Sequence, residues 1–345
     1  MFEVQSVIEI LSKTEEFFRR HGVPSPKLDA QLLLAHAMGC KRLELFLRYD
    51  EPVMGEALER MRDFARRRGR REPLQHIIGF QDFFGVRIKC DGRALIPRPE
   101  TEELCEILTE KYFPGKSAKL GILDMGTGSG AIAVALAKHY PNARVSASDA
   151  SAKALSLASE NAQENGVKIN FIESDWFEKV GGSYDLIVSN PPYLTEEEVA
   201  SAEPEVREYD PMEALVSGDC GFADIKKILA QAAGHLSGGG VLALECGLGQ
   251  AEKAAESFAD FGFAGAETFK DASKRIRFAI FRAKKPRAVC PAARGFCGSG
   301  VRLPSSGLSP RGRSLPRGTY RGGTPMTRPT ICPSGKEFLA CVNAQ

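Results

Sequence analysis

The feature that most limits what this chain can fold into is an alternation running from residue 119 to residue 245. Five short runs, KLGILDM, ARVSAS, INFIES, YDLIVS and GVLALE, have the apolar, β-branched character of strands, and IAVALAKHY, AKALSLASENAQEN and ADIKKILAQAAGHL between them carry a helical period. Strands joined through helices pair in parallel, because the crossover must pack back onto the sheet, so the expected fold is α/β with a doubly wound parallel sheet. Two more strand-like runs, AGAETF and RFAIFR, are separated by a segment too short for a crossover. One of them is therefore expected to run antiparallel, as a hairpin.

Upstream the period changes. Val4, Val7, Ile8, Leu11 and Phe18 recur at helical spacing up to His21-Gly22. Ser25 can cap a second helix with Pro26 in its first position, running through Leu28, Leu32 and Ala35 to Gly39. Segments around Leu43–Leu47 and Leu58–Phe64 complete a helical domain over residues 1–73, and the run RRRGRR at 66–71 reads as the solvated end of its last helix. Residues 74–96 contain the alternating stretch FFGVRIKCDGRALI and the turn pair Asp91-Gly92, which predicts a β-hairpin linker. A helix over about 100–113 then opens the sheet domain, 97–285. From Pro286 onward Pro, Gly, Ser and Arg dominate without any period, which predicts a disordered tail over 286–345.

Composition narrows the function classes. Hydrophobic residues make up 43% of the 345 and charged residues 26%, which is globular. The formal net charge of +2 hides an asymmetry: residues 286–345 carry nine basic side chains and one acid, which leaves the body, 1–285, at −6. A body of that sign is a poor partner for nucleic acid, whose affinity comes mostly from phosphate neutralisation. No apolar run approaches the ~18 residues of a membrane helix, and the start of the chain lacks a basic leader, so no membrane partner and a cytoplasmic location are expected. None of the nine cysteines forms a CxxC pair, and Cys40, Cys90, Cys105, Cys220 and Cys246 sit singly among apolar neighbours, as buried free thiols do. The five histidines (21, 36, 76, 139 and 235) stand in no catalytic setting, and no metal site is expected.

Four short motifs close four of the strand-like runs. LDMGTGSG places Asp124 and then Gly126, Thr127, Gly128, Ser129 and Gly130 between a strand and a helix, where free backbone N–H groups and a positive helix end favour a polar ligand. The spacing is not the G-x-G-x-x-G of dinucleotide sites, and a glycine turn with no ligand would read the same. Asp149 ends the second run, where a carboxylate can take both hydroxyls of a ribose. Asp175 and Trp176 follow the third, an acceptor for an adenine amino group and a cover for its ring; alternatively the one Trp of the chain is a core residue. Asn190, Pro191, Pro192 and Tyr193 follow YDLIVS as a rigid platform with one amide, one aromatic face and a Pro191 carbonyl free of competing N–H groups, although N-P-P-Y can also be a plain turn.

Together, Asp124–Gly130, Asp149 and Asn190–Tyr193 resemble an S-adenosylmethionine-dependent methyltransferase acting on amino groups. REPLQHIIGFQDFFGVRIKCDGRALIPRPETEEL (71–104), SDWF and EVREYDPMEAL (205–215) narrow the likeness to the protein-glutamine methyltransferases that modify peptide chain release factors, over residues 1–283. The resemblance implies a Rossmann-like, seven-stranded methyltransferase sheet with a small N-terminal helical domain. It also implies methyl transfer from S-adenosyl-L-methionine, leaving S-adenosylhomocysteine, to the glutamine side-chain nitrogen of a Gly-Gly-Gln loop. Cofactor contacts are implied at Gly126–Gly130, Asp149, Asp175, Trp176 and Asn190, and substrate contacts and catalysis at Asn190–Tyr193. Arg98 and Glu100 shape the cofactor pocket or else simply start a helix. DASKRIRF (271–278) departs from the resemblance, which calls for a glycine before the last strand, and the tail after 285 has no counterpart in it. An adenine amino-methyltransferase on DNA or RNA, or a ribosomal-protein glutamine methyltransferase, shares the same platform chemistry.

Overall fold

The computed structural model describes residues 5–285. Helices α1 (Val7–Arg20), α2 (Pro26–Met38) and α3 (Gly55–Gly69), with a short 3-10 turn at Arg42–Leu47, form the N-terminal part. Each helix starts and stops on local chemistry. The Ser6 N–H donates to the Glu9 carboxylate at 2.9 Å ahead of α1. Pro26 opens α2, and Gly39 closes it in the left-handed conformation, φ +64°. Val7, Ile10, Leu11, Phe18, Leu33 and Leu34 pack into one core with Met61 of α3. Ile8 and Leu28, expected on the apolar faces, instead look outward. Each lies about 100° around its helix from a buried neighbour, Val7 or the Asp29 that binds Arg68.

The RRRGRR run is not simply a solvated helix end. Arg68 is buried, with Nε 2.7 Å from Asp29 Oδ2 and Nη1 2.7 Å from Glu205 Oε1. Arg71 meets Glu203 and Glu205, each at 2.6 Å. Acids of another segment turn inward to meet these two arginines, so their charges leave water for ion pairs.

Strands β1 (Phe80–Phe83) and β2 (Val86–Lys89) make the expected hairpin, preceded by one helical turn at Leu74–Ile78. Its turn is Phe84-Gly85, at φ +43° and +77°, and not Asp91-Gly92. The side chains of Phe83, Val86 and Ile88 are buried, and the Phe84 N–H donates to Glu102 at 2.7 Å, so packing fixes the register that turn statistics alone would have placed elsewhere.

The sheet comprises β3 (Gly121–Met125), β4 (Arg144–Asp149), β5 (Ile169–Glu173), β6 (Tyr184–Ser189), β7 (Leu236–Glu245), β8 (Phe263–Lys270) and β9 (Ile276–Ala283), in the order β8-β9-β7-β6-β3-β4-β5. β9 is the antiparallel strand, paired with both β8 and β7. Helices α4 (Pro99–Ile107, continued by a wider turn to Tyr112), α5 (Ala131–His139), α6 (Ala152–Glu164), α7 (Ala223–His235) and α8 (Gln250–Glu256) accompany it. Ile122, Val134, Leu136, Leu186 and Phe278 fill one face, and Leu123, Ile187, Ile225, Leu229 and Phe281 the other. The turn before β9 puts Lys274 at φ +64°, a conformation that suits the glycine missing there.

Because β3 to β7 are mutually parallel, they finish at one edge, at Met125, Asp149, Glu173, Ser189 and Glu245. Cys90, Cys105 and Cys246 are buried, whereas Cys220 is exposed on a short loop helix away from the sheet core, at φ +53°. Among the described residues no helix is long and apolar enough to cross a membrane. The tail and Val4 lie outside the described residues.

Candidate active site

Met125 pairs with Ser189, and the Ser189 hydroxyl donates to the Met125 carbonyl at 2.7 Å, so the glycine turn and Asn190 leave the sheet side by side. Gly126, Gly128 and Gly130 all have positive φ. At Gly130 space is decisive too: a Cβ there would stand 2.9 Å from the Cβ of Ala158, so only glycine lets α5 start this close to α6. Asp124, fully buried, accepts from the Thr127 hydroxyl at 2.6 Å and the Ala133 N–H at 3.1 Å, which ties the turn to the first turn of α5. Burial, against those two bonds, pushes its carboxyl up to about 7, and Oδ1 has no partner.

Asp149 bridges two backbone donors, Gly128 N–H at 2.9 Å and Ser151 N–H at 2.8 Å. Burial raises its carboxyl above the ordinary value in spite of them. Trp176, at φ +45°, has its ring against Gly126 and its Nε1–H donating to Asp224 at 3.0 Å. Asp224 is itself held by the Ser217 hydroxyl at 2.6 Å. The Asn190 amide donates through Nδ2 to Thr101 Oγ1 at 3.0 Å, and Thr101 donates on to Glu245 at 2.6 Å.

These residues surround a cavity of about 270 Å³. Gly126, Thr127, Gly128, Ser129, Asp149, Asp175, Trp176, Asn190 and Pro192 line it. Gly130, Pro191 and Tyr193 do not; Gly130 packs on α6, Pro191 is buried, and the Tyr193 hydroxyl turns inward to Arg277 at 2.7 Å and Glu245 at 3.2 Å. Arg98 lines the cavity and pairs with Asp210 at 2.6 Å. Glu100 sits in the first turn of α4 facing Arg275 at 3.2 Å. Sequence reasoning missed Thr101, Glu213 and Asp224 in the wall, and Glu245 and Arg277 behind it. A signal did exist for Glu245, an acid closing the apolar run GVLAL. Among the described residues no cluster of histidine, cysteine and acidic side chains could hold a metal.

A larger hollow, about 820 Å³, lies between the helical part and the sheet part, lined by Leu28, Leu32 and His36 on one side and Glu203, Glu205 and Val206 on the other. Ile96 and Arg98 line both hollows.

Residues 9–79 match the PrmC N-terminal domain and residues 101–204 the methyltransferase small domain. A release factor glutamine methyltransferase of Deinococcus radiodurans is 41% identical over 270 residues, which is 78% of this chain and 96% of that one. The chain belongs to the release factor glutamine methyltransferase family. Other release factor glutamine methyltransferases are those of Chlorobaculum tepidum, 40% identical over 80% of this chain and 96% of that one, and of Escherichia coli, 36% over 75% and 92%. The N-terminal match runs from the third residue of α1 through α3 and ends at Gly79, directly before the hairpin.

Proposed function

We propose that the chain transfers a methyl group from S-adenosylmethionine to the side-chain amide nitrogen of the glutamine in the Gly-Gly-Gln loop of a peptide chain release factor. The observation that carries this reading is the pairing of Met125 with Ser189, which brings a nucleoside-type glycine turn and Asn190 and Pro192 of the Asn-Pro-Pro-Tyr segment to one hollow. The activity of the chain's relatives, release factor glutamine methylation, supports the substrate.

The cavity suits the cofactor. Asp149 still has lone pairs for ribose hydroxyls, Asp175 offers an exposed carboxylate for an adenine amino group, Trp176 offers a ring face, and Gly126–Ser129 bring backbone to the wall. When bound, S-adenosylmethionine supplies a methyl group on a sulfonium sulfur and leaves as the neutral thioether. The task of the protein is then to orient a poor nucleophile, because an amide lone pair is delocalised into its carbonyl. Asn190 Oδ1 and the Pro191 carbonyl each accept one N–H of the substrate amide, which holds the nitrogen for in-line attack and favours its pyramidalisation as the N–C bond forms. Tyr193 stiffens the platform from behind. The surplus proton leaves to water after transfer, so no strong base is needed. The helical part and the 820 Å³ hollow beside it receive the body of the release factor. The buried thiols suit the reducing cytoplasm, and residues 1–285 at −6 suit a protein substrate better than nucleic acid.

The test mixes the full chain, methyl-labelled S-adenosylmethionine and a release factor, with and without its loop glutamine changed to alanine. Label confined to the glutamine-bearing factor is expected, and label on nucleic acid or on the altered factor refutes the assignment. Asn190→Ala should lower turnover by at least about 100-fold, the scale of losing an oriented polar contact in the transition state. Its cofactor affinity, read by calorimetry, should change far less.

A further inference from the structure

Behind the cavity wall lies a polar chain whose direction is set by one buried charge. Glu245, at the end of interior strand β7, is 1% exposed. Its Oε2 lies 2.6 Å from Thr101 Oγ1, and its Oε1 faces the Tyr193 hydroxyl at 3.2 Å and Arg277 Nη2 at 3.4 Å. Arg277 also reaches the Tyr193 hydroxyl at 2.7 Å, with its guanidinium 5.0 Å from the centre of that ring. Burial raises the Glu245 carboxyl, but the bonds from Thr101 and Tyr193 and the Arg277 guanidinium oppose it. As the carboxylate that Arg277 pairs it only accepts, so the single hydroxyl proton of Thr101 points at Glu245. Thr101 Oγ1 can then only accept from its other neighbour, and that neighbour is Asn190 Nδ2 at 3.0 Å. The carboxamide of Asn190 therefore has its nitrogen committed inward and its oxygen left for a ligand. The same carboxylate steadies Tyr193, so both ends of the four-residue platform are referred to Glu245.

We propose that Thr101 and Glu245 are positioning residues that fix the flip of the Asn190 carboxamide, and that this makes the site select a carboxamide over a carboxylate. The inference rests on the reading of Asn190 as the holder of the substrate amide. With Oδ1 outward, Asn190 accepts from the NH2 of glutamine but meets a glutamate oxygen acceptor to acceptor. Without the Thr101 hydroxyl nothing holds Nδ2 inward, and a flipped Asn190 offers a donor that suits glutamate and repels the amine hydrogens of glutamine. Sites built on paired donors and acceptors discriminate strongly because a mismatch strands a polar group.

The experiment uses the full chain as the parent protein, Thr101→Val, Thr101→Ser and Asn190→Ala. The release factor serves as methyl acceptor, and its counterpart with glutamate in place of the loop glutamine serves as a competitive inhibitor. For Thr101→Val we expect kcat to fall about 10- to 100-fold while cofactor affinity by calorimetry stays within about threefold, the scale of one misdirected polar contact. The ratio of the inhibition constant of the glutamate form to the KM of the glutamine form should fall by at least about 10-fold, a change that mere loosening of the fold does not produce. Thr101→Ser keeps the hydroxyl and should restore both values. Should the valine protein fail to fold, Thr101→Cys, with its weak donor, should shift the same ratio in the same direction. An inactive Asn190→Ala beside a Thr101→Val with parental kcat and an unchanged ratio overturns this inference and leaves the proposed function standing. A fully active Asn190→Ala overturns both.

Discussion

Asp124→Asn changes one atom of a side chain that has no solvent exposure, yet it should alter how stability depends on pH across the physiological range. Burial raises the Asp124 carboxyl from its ordinary 3.8 to about 7, against the bonds from Thr127 and Ala133. Between those two values the folded chain holds a proton that the unfolded chain has released. The folded state binds more protons there, so stability is greatest below the unfolded value and falls as pH rises through the window. At ~1.4 kcal/mol per pH unit, and with about two units of that window lying between pH 5 and pH 8, the loss attributable to Asp124 is about 3 kcal/mol. Asparagine keeps an acceptor for Thr127 and Ala133 but does not titrate. Burial also raises Asp29, Asp149, Asp210 and Glu245, but they are common to both proteins and largely cancel in the difference. Urea unfolding of the two full chains at pH 5, 6, 7 and 8 measures that difference directly. The variant should gain about 3 kcal/mol relative to the parent from pH 5 to pH 8, whatever its offset at any single pH. Two parallel stability curves would mean that Asp124 ionises normally, and the burial argument would be wrong.

Arg68→Met should destabilise the fold by about 3–5 kcal/mol in urea unfolding, because it strands the buried Asp29 carboxylate without its cation and leaves Glu205 with Arg71 alone. Arg19→Ala, which breaks only exposed pairs with Glu15 and Glu16, should cost less than about 1 kcal/mol in the same assay. Lys274→Gly should raise stability by up to about 1 kcal/mol, because its φ of +64° carries a side-chain penalty that glycine avoids; a lower melting temperature would show that the lysine side chain is held by something that outweighs its strain.

The order of strand and helix, the antiparallel last pair and the edge where the motifs gather were all legible, because each depends on a period or a punctuation mark within about twenty residues. Gly126–Gly130, Asp149, Trp176 and Asn190 share that locality: each closes a run whose strand character is plain, and parallel pairing alone brings them together. What the sequence hid is the pairing of charges across long separations. RRRGRR reads as solvated because its counter-ions lie far off in the chain, Asp29 39 residues from Arg68, and Glu205 and Glu203 134 and 132 residues from Arg71. Thr101 and Glu245 are separated by 144 residues, and nothing within IPRPETEEL shows which of its polar side chains turns inward. Yet position in the sheet separates one acid from another. Glu173 and Glu245 both end a strand, but Glu173 is exposed on the edge strand β5, whereas Glu245 ends β7 between β6 and β9 and is buried. An acid buried at the end of an interior strand must gather donors from other segments or lose its charge. β9 pairs with β7 on the side that β6 leaves open, and that pairing makes the acid of GVLALE interior. The rule that picks out Asp149 by its place at a strand end then picks out Glu245 as well, and with it a search for the hydroxyl and guanidinium that must meet it.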